Sequence, residues 1–135
     1  MKIPILKLKN ILLTSIQIDL TDEDALEFQA DVLDKINATD AEGVIIDITA
    51  LNVVDSYMAR ILNETTTMAH LLGARVVISG MQPTVALTLV EMGRELIGVE
   101  TALNLDQGME KLQRLIANRG SNLSSQGKDT GHSNA

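Results

Sequence analysis

Cysteine is absent from the 135 residues, so neither a disulfide framework nor a thiolate metal site is open to this chain. Tryptophan is absent as well, and there is one Phe and one Tyr. The core must then be packed from Leu, Ile, Val, Ala and Met. That suits helices lying on a sheet, and it lacks the aromatic anchors common in sugar, base and cofactor pockets. Histidine is scarce: there are two, and nucleophilic catalysis needs a base beside the nucleophile. His132 lies in a polar terminal stretch. His70 falls late in an expected helix, about four turns beyond Ser56. There is no phosphate loop of the GxxxxGK type, no GxGxxG after a strand and no HExxH. The expectation is a protein without catalysis, cofactor or metal.

No apolar run approaches the ~20 residues that span a bilayer, and no charged segment leads into an apolar one as in a secretory signal. The expected location is the cytoplasm. A net charge of −7 and the absence of any Lys/Arg cluster argue against nucleic acid. Half of the 18 acidic residues lie between Asp19 and Glu42, where Lys35 is the only base. That stretch reads equally as a solvated helix face or as a docking face for a basic partner.

What is present is an alternation of short aliphatic runs and helical patterns, enough for one domain. Ile3 to Leu8 and Ile11 to Ile18 read as two strands joined at Lys9-Asn10, with Pro4 placing the first at a sheet edge. Thr21 is a helix cap, with Asp24 three residues on and Leu26, Phe28, Gln29, Val32, Leu33 and Ile36 on one face. Val44 to Ile48 suits a central parallel strand, covered on both faces. A second helix begins at Asp55 or Ser56, with Met58, Ile61, Leu62, Met68, Leu71 and Leu72 inward and a stop at Gly73. Arg75 to Ser79 is the next strand. Pro83 opens a third helix carrying Val85, Leu87, Leu89 and Met92 to Gly93. A short strand over Glu100 to Ala102 precedes a fourth helix, capped by Asn104 with Gln107. The order is ββαβαβαβα: an α/β fold whose sheet is mostly parallel, with an antiparallel N-terminal hairpin strand and right-handed crossovers. Residues 1–117 form the expected domain. Residues 118–135 are so poor in apolar side chains that a disordered tail is expected.

The informative stretch is Asp47-Ile48-Thr49-Ala50-Leu51-Asn52-Val53-Val54-Asp55-Ser56-Tyr57-Met58-Ala59. A buried strand runs into a loop that ends in Asp-Ser at the start of an amphipathic helix. Asp47 and Asp55 are the acids near the end of a central strand, yet the further acids and the Lys of a phosphate-accepting Mg²⁺ site are missing. The amides of Gly80-Met81-Gln82-Pro83, between a strand and a helix, read as a connecting turn rather than an anion cradle. Asp55-Ser56 suits helix capping, worth ~1 kcal/mol. It also suits a phosphorylation switch, because a phosphate on the first helical turn meets free amides and adds about two negative charges beside Asp55.

The pattern from Asp47 to Asp55-Ser56 resembles the signature of STAS domains, the fold of bacterial anti-sigma-factor antagonists, and the likeness runs to about residue 117. Within that family the chain is most similar to the RsbS-like core proteins of the stressosome. The stretches that carry this likeness are Ile3-Pro4-Ile5-Leu6-Lys7-Leu8, Ser79-Gly80-Met81-Gln82-Pro83-Thr84-Val85-Ala86 and Glu100-Thr101-Ala102-Leu103. The family usually follows Asp-Ser with small residues, whereas Tyr57-Met58 follow here, as larger residues do in RsbS-like members. The resemblance implies a single STAS domain that binds proteins and self-associates, as a dimer and then a large assembly with an RsbR-like STAS co-antagonist. It implies sequestration of an RsbT-like serine kinase, phosphorylation at Ser56 with Asp55, Asp47 and Thr49 as neighbours of the switch, and a phosphatase that resets phospho-Ser56. Two alternatives stay open: a free-standing anti-sigma-factor antagonist that binds an anti-sigma kinase directly, and a flavodoxin-like nucleotide binder.

Overall fold

A computed structural model describes residues 2–91 and 99–129, with side chains through 118. Strands β1 (Ile5–Leu8) and β2 (Ile11–Ser15) form the antiparallel hairpin, with Leu6 opposite Leu13 and Leu8 opposite Ile11. Both are shorter than their aliphatic runs. Pro4 precedes β1, and its carbonyl accepts a bond from Thr14 Oγ1 at 2.9 Å, while Ile18 lies beyond the ladder and is exposed. β3 (Gly43–Asp47), β4 (Arg75–Ser79) and β5 (Glu100–Ala102) add in parallel, giving a five-stranded sheet in sequence order. β1 is an edge strand, as a neighbouring proline requires.

Consecutive parallel strands that lie side by side return their crossover helices to one face. Helices α1 (Asp22–Thr39), α2 (Ser56–Leu71) and α3 (Pro83–Glu91) accordingly share one apolar cluster with Leu12, Val44, Ile46, Val76 and Ile78. Helix α4 (Leu105–Asp129) follows the last strand and covers the opposite face, where Leu112 packs on Ile11, Ile45 and Val77. Val44, Ile45 and Ile46 are all fully buried, as expected for a strand covered on both sides. Gly43 is the first residue of β3. A side chain there would stand 2.8 Å from both Leu112 methyl carbons, so its absence sets how closely α4 approaches the sheet.

The helix starts follow their capping residues. Thr21 and Asp24 form a reciprocal capping box at α1, and Gln107 N–H donates to Asn104 Oδ1 at 2.9 Å at α4. The inward faces differ in part from the expected ones. On α2, Met68, Leu71 and Leu72 are exposed, Leu71 at 83%, while Thr65, Thr66 and Ala69 are buried in their place. The helix lies close against α1, where Gln29 Nε2 donates to Thr65 Oγ1 at 3.2 Å across the seam. Small residues fit that seam and long aliphatic ones do not. Leu26 on α1 and Leu87 on α3 point outward for the same reason of register: Ala25 and Phe28, and Val85 and Leu89, occupy the stripes that face the sheet. Met92, Gly93 and His132 lie outside the described residues.

Helix α4 runs through Asp129, past the Asn118 at which the sequence pattern places the start of a disordered tail. Each added residue gains a backbone hydrogen bond without a new nucleation cost, so a helix can outrun its apolar stripe. We propose that the packed unit still ends at residue 117, because Met109, Leu112, Leu115 and Ile116 supply the α4 contacts to the sheet. Deleting residues from Gly120 onward is then expected to change unfolding free energy by less than ~0.5 kcal/mol, as for changes outside packed features. Urea denaturation of the truncated and full chains checks this; a loss above ~1 kcal/mol would mean that the segment docks on the domain.

Candidate functional site

Three strands end side by side beneath the informative loop. The parallel register sets Ser15 of β2 opposite Asp47 of β3, and Asp47 opposite Ser79 of β4. Paired residues in a sheet point to the same side, so the carboxylate of Asp47 sits between two hydroxyls. Ser79 Oγ donates to Asp47 Oδ1 at 2.9 Å and Ser15 Oγ donates to Oδ2 at 3.3 Å. Thr49 Oγ1 reaches back to the same Oδ1 at 2.8 Å. Ser79 is fully buried, so this carboxylate satisfies a hydroxyl that would otherwise have no partner.

The loop after β3 is pinned from the adjacent connection. Ile48 N–H donates to Ser79 O at 2.9 Å, and the buried side chains of Leu51 and Val54 hold the loop to the core. Gln82 Nε2 donates to Thr49 O at 2.7 Å, and Thr84 Oγ1 to Asn52 O at 3.2 Å. Gly80 adopts φ +76°, and a Cβ there would lie 1.9 Å from Thr49 Oγ1. Its own N–H donates to Ala102 O at 3.0 Å. Gly80-Met81-Gln82-Pro83 is thus the brace of this loop.

The braced loop delivers Asp55 and Ser56 to the start of α2. Asp55 is the N-cap, extended at φ −86° and ψ 175°, and its Oδ1 accepts from Met58 N–H at 2.8 Å. Ser56 is the first helical residue and exposed, and its hydroxyl makes no hydrogen bond among the described residues. Capping and the free hydroxyl are therefore divided between two neighbours. Asp19, Leu20, Leu51, Val53, Asp55 and Met58 line a cleft of about 240 Å³ beside them, below the ~300–1,000 Å³ typical of small-molecule sites.

Of the four residues singled out in the sequence, Asp55 adjoins Ser56 and caps the helix that Ser56 begins. Asp47 and Thr49 are brought together with Ser79 and Ser15, and no hydrogen bond joins either to Ser56. They shape the loop that carries the serine. Ser79, Ser15, Gln82 and Thr84 were missed because they lie 32 or 33 residues from their partners. One signal existed: Val-Val-Ile-Ser and Val-Ile-Ile-Asp end in a polar residue after matching aliphatic runs. His70 is exposed in the last turn of α2, roughly 20 Å from Ser56 along the axis. Among the described residues no group of three or more His, Asp or Glu could hold a metal ion, and no helix is long and apolar enough to cross a membrane.

Comparison with known proteins bears on this geometry. The STAS domain model matches residues 2–107. Among solved structures, RsbS from Moorella thermoacetica, in a variant with a serine replaced by glutamate, is 41% identical with a TM-score of 0.77, covering 85% of this chain and 97% of that one. A chain from a structure of the stressosome, described as a signal integration and transduction hub, is 43% identical with a TM-score of 0.74, covering 83% and 97%. The RsbT co-antagonist protein RsbRA of Bacillus subtilis is 34% identical over 67 residues, half of this chain, but the match spans 24% of RsbRA's own length.

Proposed function

The chain belongs to the STAS domain family, and from that premise we propose that it is a non-catalytic stressosome subunit that sequesters an RsbT-like serine kinase and releases it when Ser56 is phosphorylated. The observation that carries this reading is the division of labour at the start of α2. Asp55 holds the cap while Ser56 stands exposed with an unbonded hydroxyl, so a phosphate can be added without undoing the helix. The free amides and the positive end of the helix dipole favour an anion at this position.

The likeness to RsbS and to a stressosome chain supports assembly with copies of itself and with RsbR-like co-antagonists. The serine-to-glutamate variant of the Moorella protein fits a family in which charge at a serine matters. In the proposed cycle Ser56 Oγ takes the γ-phosphoryl group of ATP, ADP leaves, and the hydroxyl proton passes to the kinase. A phosphatase then hydrolyses the ester and resets the chain, and the cycle takes place in the cytoplasm.

Incubation with an RsbT-like kinase and ATP is expected to add one phosphate to the chain, mapped to Ser56 by mass spectrometry, and Ser56→Ala is expected to abolish it. The variant should stay folded, since Asp55 supplies the cap. Phosphate found on Thr21 or Thr49 instead would overturn the assignment.

A further inference from the structure

Arg60 lies one helical turn after Ser56. Residues i and i+4 of a helix share a face, so the two belong to one patch of α2, and both are exposed. The Arg60 guanidinium carbon stands 5.0 Å from the centroid of the Tyr57 ring. Side chains on a helix lean toward its N-terminus, and this one lies over Tyr57, in the turn that Ser56 begins. Among the described residues Arg60 forms no ion pair, although the chain carries a net charge of −7. The carboxylate of Asp55 accepts from Met58 N–H, and Asp19 and Asp55 line one cleft. An unpaired cation is thus parked on an aromatic face, one turn from the serine.

We propose that Arg60 is the internal receptor for a phosphate on Ser56: once the ester forms, the guanidinium leaves the Tyr57 ring and binds the phosphate oxygens. The inference rests on Ser56 being the modified residue. A charge-assisted hydrogen bond to a dianion is stronger than an exposed cation–π contact, and an acidic group N-terminal to a base at i,i+4 is the favourable orientation on a helix. The consequence is a two-part signal. Phosphorylation adds charge at Ser56 and at the same time uncovers the Tyr57 ring, so the surface offered to partners changes in shape as well as in charge.

The test uses the full chain with phosphoserine installed at position 56 during translation, so that no kinase is needed. Phosphorus NMR titration is expected to place the second phosphate ionisation about 0.15–0.4 pH unit lower in the chain with Arg60 than in Arg60→Gln, the size of an exposed i,i+4 ion pair. Arg60→Lys should fall between them, because lysine keeps the charge and loses the planar fork. Tyr57 is the only tyrosine and there is no tryptophan, so tyrosine emission reports this ring alone. It should change on phosphorylation with Arg60 present and stay constant in Arg60→Gln. Identical ionisation and unchanged emission in both would overturn the inference. A kinase that fails to modify Ser56 would overturn the functional reading and leave these two measurements standing.

Discussion

Gly80→Ala is expected to lower the melting temperature by roughly 10–20 °C. Two costs combine. The backbone at Gly80 has φ +76°, which costs an L residue ~1–2 kcal/mol. The new Cβ would also stand 1.9 Å from Thr49 Oγ1 and 3.0 Å from Thr49 Cβ, and overpacking of this kind costs ~1–3 kcal/mol. Thr49 cannot turn away freely, because its hydroxyl donates to Asp47 and its carbonyl accepts from Gln82. The double variant Gly80→Ala/Thr49→Ala separates the two costs. Removing the hydroxyl alone loses a hydrogen bond to a charged group, ~1.5–3 kcal/mol at most. In the double variant the collision with Oγ1 is relieved, while the dihedral cost and the close approach to Cβ remain, so the combined loss should be smaller than the sum of the single losses. Additive losses in denaturant melts would show that Thr49 is not what Gly80 makes room for.

The second large effect concerns the kinase. With phosphoserine at position 56, retention of an RsbT-like kinase by the assembled chain should fall at least tenfold, which is about 1.4 kcal/mol of binding free energy. The phosphate brings about two negative charges beside Asp55, which shares a cleft with Asp19. A kinase surface packed against the unmodified patch must then desolvate the net negative charge that Arg60 leaves on the phosphate, and desolvating a charge at an interface costs several kcal/mol. Ser56→Asp adds a single charge on a shorter side chain and should give a partial loss, while Ser56→Ala should retain the kinase. Pull-downs or interferometry with the three forms rank them. Equal retention by all three would remove Ser56 from the release step, even if it proved to be phosphorylated. The size of the particles, read by light scattering alongside, distinguishes a stressosome subunit from a free-standing antagonist, which should stay small.

Much of this molecule was legible before its fold was seen, because local rules act on neighbours in sequence. Thr21, Asp55 and Asn104 mark helix starts, since a short polar side chain can bond only to amides two or three residues on. Val44 to Ile46 could be read as doubly covered, because no polar residue interrupts the run. The place of Asp55-Ser56 at a helix start followed from the same logic, and so did the edge position of the strand after Pro4. Tertiary structure decided what depends on distant residues. Met68, Leu71 and Leu87 face solvent, because the seam with α1 selects Thr65 and Ala69, and the sheet selects Val85 and Leu89. An apolar count along one helix cannot reveal which stripe its neighbours leave room for. The knot of Asp47 with Ser15 and Ser79 exists because strand register aligns residues 32 apart. Gly80 is required because a loop folded from another crossover occupies the space of its missing side chain. Sequence set the secondary structure and the position of the serine through short-range hydrogen bonding and periodicity, while close packing between elements chose the faces and built the brace that presents it.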